Sequence, residues 1–250
     1  CPGCDESRSR RCLINLCISK GAWIPDFLGD CDTCVDRFHC VKSDHYSKPD
    51  MWRFKRLGEL LDTWDGSPPV LELPKFIPMI PIDSPPSIKW KDFGINTLLL
   101  QTPDFENEHV DKVKEQGVHS YLGFDGTVLL STVMPDKVLE AEGSFDSCQD
   151  LLKQGGVDGV VGWDLPVYID APKSRNLMNL AFATLSACDF VEAGIPVIPL
   201  FKGSERSEFN LHFRWLKKFG FQALALHVTE YLLALKSEEH AGQEVAKWLM

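Results

Sequence analysis

No apolar run in this 250-residue chain reaches the ~18 residues that a membrane-spanning helix requires, so no spanning helix is expected. Neither an initiator methionine nor a secretory leader precedes Cys1, and the expectation is a processed or trimmed product. No strand-like segment leads into G-x-G-x-x-G, a P-loop or G-x-S-x-G, which weighs against a nucleotide-binding sheet and against a nucleophile elbow. Positive charge is scarce over most of the chain. Residues 1–60 hold 10 Lys+Arg against 9 Asp+Glu, so the formal net charge of −10 rests on the remainder. Such an acidic body is a poor non-specific binder of nucleic acid, because phosphate contact needs clustered Lys and Arg.

Cysteine, by contrast, is concentrated. Seven of the nine lie between Cys1 and Cys40, spaced as CPGC, RRCLINLC, CDTC and FHC. Two C-x-x-C pairs, Cys1 with Cys4 and Cys31 with Cys34, put thiolates close enough to share one ion. Cys12, Cys17 and Cys40 add soft ligands, and His39 and His45 could add nitrogen. Four sulfurs around one ion suit a closed tetrahedral zinc site or a [4Fe-4S] cluster. A disulfide framework is the alternative, but an odd cysteine count and a long acidic remainder argue against it. Ligand-spaced cysteines point to a reducing cytoplasm. Arg8, Arg10, Arg11, Lys20, Arg37 and Lys42 lie among these cysteines, so a nucleic-acid partner, if there is one, would be met through this module.

The order of these motifs over residues 1 to about 45 resembles a Cys-rich domain of unassigned function found in bacteria and archaea. That resemblance implies metal binding and no particular activity.

The composition, 44% hydrophobic and 25% charged, is that of an ordinary globular protein, and the length allows a medium domain plus a small module. Residues 1–45 are read as the Cys-rich module and 46–69 as a helical linker. Trp52, Phe54, Leu57, Leu60 and Leu61 fall at helical spacing, and DGSPP at 65–69 breaks the helix. Residues 70–250 alternate between short apolar runs and amphipathic stretches. Strands are expected at 76–81, 97–101, 119–124, 159–165, 196–201 and 222–228, with 127–134 either a further strand or an extension. Helices are expected at 104–116, 144–154, 173–193 and 207–219, with a last helical stretch over 229–250. Continuous apolar strands between amphipathic helices indicate a parallel sheet covered on its faces. The fold class is α/β, read as a TIM-like βα barrel. About six strands are read where a closed barrel needs eight, so the barrel is incomplete, or the chain is a fragment, or a partner subunit completes it.

In such folds functional groups gather past the C-terminal ends of strands. Those positions hold Asp83, Gln101, Asp104, Asp125, Asp164, Tyr168, Lys202, His227 and Glu230. In GWDLPVY the strand runs straight into Asp164 with a proline behind it, which fixes the carboxylate at the strand end. In FKGS, Gly203 lets the backbone approach a ligand beside Lys202.

LELPKFIPMIP, GVDGVVGWDLPVY, PVIPLFKGS and GFQALALHV together resemble the tRNA-guanine transglycosylase superfamily over about residues 70–230. The resemblance implies a TIM barrel that binds guanine or a 7-deazaguanine and exchanges it for a base in tRNA or DNA. It implies that Asp164 contacts the base and that Lys202 and Gly203 line its pocket; Tyr168 and His227 are further candidates on that rim. The family's Asp-Ser-Gly-Gly-Phe-Gln motif has no counterpart, since LLSTVMP occupies the region, and its zinc site follows the barrel rather than preceding it. Asp125 is the candidate second acid beside Asp164. Two other readings stand: an iron–sulfur enzyme acting on a small molecule, and a non-catalytic zinc-containing binding or assembly subunit.

Overall fold

The computed structural model describes residues 48–83, 85, 88–168 and 173–226, with the side chains of 48–52, 54 and 173–175 excepted. The candidate metal ligands Cys1, Cys4, Cys12, Cys17, Cys31, Cys34 and Cys40 lie outside the described residues, as do the basic residues around them. His227, Glu230 and the final stretch lie outside them too.

Five strands form one all-parallel sheet: β1 (Met79–Pro81), β2 (Thr97–Gln101), β3 (Thr127–Ser131), β4 (Gly159–Val161) and β5 (Val197–Ile198). Their order in space is their order in sequence, with no reversal. Past β5, Leu200 bridges in parallel to Ala225. There the Phe201 N–H donates to the Ala225 carbonyl at 2.7 Å and the Ala225 N–H to the Pro199 carbonyl at 2.9 Å. Among the described residues, the strand expected over 222–228 is represented by a single bridge. Pro196 and Pro199 flank β5 and offer carbonyls but no N–H, which keeps its regular pairing short.

Both faces of the sheet are apolar. Leu98, Leu100, Val128, Leu130 and Val160 pack toward the helices, against Val110 and Val113 of α2 (Glu108–Gln116), Leu151 and Leu152 of α5 (Ser144–Gln154) and Phe190 of α6 (Lys173–Glu192). Leu129, Val161, Ile198 and Leu200 occupy the other face, with Leu71, Ile77, Leu99, Val133, Ala223 and Ala225 against them. Two-sided burial explains why these strands read as continuous apolar runs instead of alternating ones. The remaining helices are α1 (Lys48–Thr63), α3 (Val118–Leu122), α4 (Asp136–Leu139) and α7 (Arg206–Lys218), with a 3-10 turn at Trp90–Phe93. Among the described residues no helix is long and apolar enough to cross a membrane.

Three expectations change. Residues 119–124, read as a strand, form α3 and its Gly123 cap. The inward-packed positions Val118, Tyr121 and Leu122 have helical spacing, which so short an apolar run cannot distinguish from a strand. Gly117 at φ 83° and Gly123 at φ 58° close it off at both ends. Strand β4 stops at Val161 because Gly162 adopts φ 139°, followed by a cis peptide bond to Trp163. Trp163 then turns into the helix-side core, stacked on Phe105 and edge-on to Phe145. Finally, α1 is not a spacer. Leu57 and Leu61 are buried against Leu177, Leu180, Leu185 and Trp215 of α6 and α7, and the Arg56 guanidinium holds Asp189 of α6.

Candidate functional site at the ends of β4 and β5

The C-terminal ends of β4 and β5 bring Asp164 and Lys202 together. The Lys202 ammonium donates to Asp164 Oδ1 and to the Leu165 carbonyl oxygen. Both side chains are about nine-tenths buried, at 11% exposure for Lys202 and 10% for Asp164. Burying two charges is costly unless they are paired and further hydrogen-bonded, and the Leu165 carbonyl supplies that second acceptor. These two acceptors fix the position of the Lys202 side-chain nitrogen.

Helices α6 and α7 hold the loops that carry this pair. Asn176, 1% exposed, receives the Tyr168 N–H at 3.1 Å and donates to the Tyr168 carbonyl at 2.7 Å. The same amide group donates to Ser204 Oγ at 2.9 Å, tying the loop after β4 to the loop after β5. Asn179 donates to the Pro166 carbonyl at 2.7 Å. Glu208, also 1% exposed, accepts from the Ser204 N–H at 2.8 Å and from the Ser204 hydroxyl at 2.7 Å. His212 is fully buried, with Nδ1 3.1 Å from the Lys202 carbonyl oxygen, and its Nε2 has no hydrogen-bond partner among the described residues. Burial pushes its imidazole down to about 4, with the nearby Lys202 charge acting the same way and the hydrogen bond to the Lys202 backbone opposing it.

The residues picked out by sequence divide accordingly. Asp164, Lys202 and Gly203 share one site. A Cβ at Gly203 would lie 2.8 Å from the Phe209 backbone nitrogen, so this position accepts nothing larger than glycine. Tyr168 borders the site. Its backbone is clamped by Asn176, and its hydroxyl reaches Asp136 at the start of α4. Asp125 does not join them. With 119–124 helical, it lies just before β3, at the N-terminal edge of the sheet, where it pairs with Lys91 at 2.5 Å and is 69% exposed. The Lys91 ammonium draws its carboxyl below the usual range. An open cleft of about 620 Å³ lies there, bordered by Trp90, Lys91, His119, Phe124 and Asp125. Its placement at the opposite edge separates Asp125 from Asp164, contrary to the pairing expected for a two-acid site.

Sequence reasoning missed Asn176, Asn179, Ser204, Glu208 and His212. Ser204 and Glu208 had a usable signal, because a serine shortly before a helix with a glutamate in its first turn is close to a capping box. The two asparagines and the histidine lie within helices, and nothing in their spacing marks them.

No protein-family model matches the chain, and no curated protein matches it. Among the described residues no cluster of three or more His, Cys, Asp or Glu side chains could hold a metal ion. The proposed cysteine ligands, from Cys1 and Cys4 through Cys31, Cys34 and Cys40, are not among those residues. The two cysteines that are, Cys148 and Cys188, are buried free thiols on α5 and α6, held protonated by burial.

Proposed function

We propose that the domain binds a purine-type base, guanine or a 7-deazaguanine, at the mouth formed by Asp164 and Lys202, and that it serves base exchange on tRNA or DNA. The observation that carries this reading is a buried carboxylate, paired with Lys202, at the C-terminal end of a parallel strand. An ionised carboxylate is an acceptor-only group with two oxygens, and it suits the adjacent N–H donors on the edge of a guanine. Lys202 orients that carboxylate, and the Asn176–Ser204–Glu208 connections keep the two loops in register. In a mostly apolar setting such a contact is stronger than in water.

The strand order supports an arrangement of the βα-barrel type. Right-handed crossovers between sequential parallel strands keep every helix on one face, so the other face must be covered by the sheet's own curvature or by further chain. Base exchange also needs a nucleophile to hold the sugar. The separation of Asp125 from Asp164 removes the one acid that sequence had offered beside it, and the residues around Asp164 are assigned to base recognition. The seven N-terminal thiols suit zinc as a structural ion, and the basic residues among them suit contact with the nucleic-acid backbone.

Equilibrium binding of guanine to the wild type and to Asp164→Asn tests the reading. Loss of a hydrogen bond to a charged group corresponds to a weakening of about tenfold or more. A wild type that binds neither guanine nor 7-deazaguanine overturns it. Metal and acid-labile sulfide content of anaerobically purified protein tests the module: zinc without colour supports a structural site, and iron with sulfide replaces it by the iron–sulfur reading.

A further inference from the structure

The sheet face opposite the helices is apolar at Leu99, Leu129, Val161, Ile198 and Leu200, and the same alternation brings polar residues onto it at the C-terminal end of the strands. Side chains two residues apart on a strand share a face, so Gln101 follows Leu99, Ser131 follows Leu129 and Lys202 follows Leu200 onto it. Gln101 and Ser131 are direct register partners across β2 and β3, and Ser131 is in turn level with Val161 and, through it, Ile198. Ser131 therefore lies at the C-terminal end of this face, on the strand next to the one that leads through Val161 into Asp164.

Ser131 is 1% exposed. Its oxygen accepts the Val133 N–H at 3.3 Å, and the Val133 carbonyl accepts from the Gln101 amide at 3.2 Å. Among the described residues no acceptor takes the Ser131 hydroxyl hydrogen. A buried hydroxyl set into an apolar face, with its oxygen used and its hydrogen left over, is a donor waiting for an acceptor.

We propose that Ser131 donates this hydrogen to the keto oxygen of the bound base, with Gln101 as a positioning residue acting through Val133. The inference rests on the base-binding reading above. A guanine whose N–H edge meets Asp164 carries its keto oxygen next to that edge, and a heterocycle held there edge-on can direct that oxygen toward the end of β3. Asp164 then selects for N–H donors and Ser131 for the adjacent carbonyl.

The test is the ratio of dissociation constants for 6-thioguanine and guanine, measured by calorimetry on the full chain. 6-Thioguanine keeps the N–H edge and replaces the carbonyl by a weaker acceptor. The wild type is expected to prefer guanine by about tenfold, the value of one hydrogen bond in a buried site. In Ser131→Ala and in the near-isosteric Ser131→Cys the ratio is expected to fall toward one, with 6-thioguanine affinity little changed. A ratio that stays near tenfold in both variants overturns this inference and leaves the Asp164 reading standing. A wild type that binds neither compound overturns both.

Discussion

Asp164 and Lys202, 38 residues apart in the chain, meet at the ends of adjacent parallel strands with both side chains about nine-tenths buried. Removing one partner strands the other charge in a poorly solvated place. Lys202→Met is expected to destabilise the fold by about 3–5 kcal/mol. The double variant Asp164→Asn/Lys202→Met removes both charges and is expected to recover a substantial part of that loss. Urea unfolding of the wild type, of Asp164→Asn and Lys202→Met singly, and of the double variant gives the coupling directly. A double variant no more stable than Lys202→Met would show that the pair matters for packing alone.

Gly162 is fixed by geometry as well as by conformation. Its φ of 139° is disfavoured for L side chains, and a Cβ there would overlap Thr132 Oγ1. Gly162→Ala is expected to lower the melting temperature sharply, with a cost of about 3 kcal/mol or more from strain and overpacking. Thr132→Ala in the same chain is expected to restore part of the loss. It cannot restore all of it, because the backbone conformation is still disfavoured. The same Thr132 hydroxyl donates to the Val161 carbonyl at 3.1 Å, so Thr132→Ala alone carries its own smaller cost of about 1 kcal/mol.

Most of the body was legible in the sequence, for a definite reason. TLLLQ, TVLLS and GVV are buried on both faces, so their continuous apolar character survives any detail of packing. Glycine stops marked the ends of α2, α5 and α6. The failures came where tertiary contact decides. VHSYL is too short for its period to be read, and its glycine ends and the contact of the Tyr121 hydroxyl with the Ile82 carbonyl at 2.6 Å make it a helix. That error moved Asp125 to the wrong edge of the sheet. At the site, Asp164 and Lys202 were legible because strand ends are where parallel sheets present side chains. Asn176 and His212 were not, since their roles depend on how α6 and α7 lie across two loops far away in sequence.

The docking of α1 separates packing from charge. Leu57 is fully buried between α6 and α7, whereas Arg56, at 33% exposure, pairs with Asp189 and lies 3.7 Å from Glu192 near the surface. Leu57→Ala is expected to cost about 2–5 kcal/mol and Arg56→Met about 1 kcal/mol or less. For a domain of this size each kcal/mol is worth about 2–4 °C in melting temperature, so calorimetry distinguishes them. Equal losses would mean that the guanidinium, not the leucine, anchors the helix.

His212 gives the fold an acid-sensitive point. Its imidazole, pushed down to about 4 by burial, is neutral in the native state at pH values where an unfolded histidine, near 6.5, already binds a proton. Between those two values the unfolded state holds more protons than the native one, so stability rises with pH. It is complete above about 6.5 and is lost as pH falls toward 4. The separation corresponds to about 3 kcal/mol if fully expressed. Protonation below that range also sets a cation beside the Lys202 charge, in a core that holds Phe201 and Trp215 against the ring. In His212→Asn the amide can still reach the Lys202 carbonyl, but it does not titrate. Unfolding free energies measured from pH 4 to 7.5 are expected to slope for the wild type and to be markedly flatter for the variant over pH 4–6.5. Parallel profiles would assign the acid sensitivity to the carboxylates instead. Because His212 braces the Lys202 backbone, guanine affinity of the native protein is expected to hold through this range and to decline only as pH falls to about 4 and below, where the native imidazole takes up its proton.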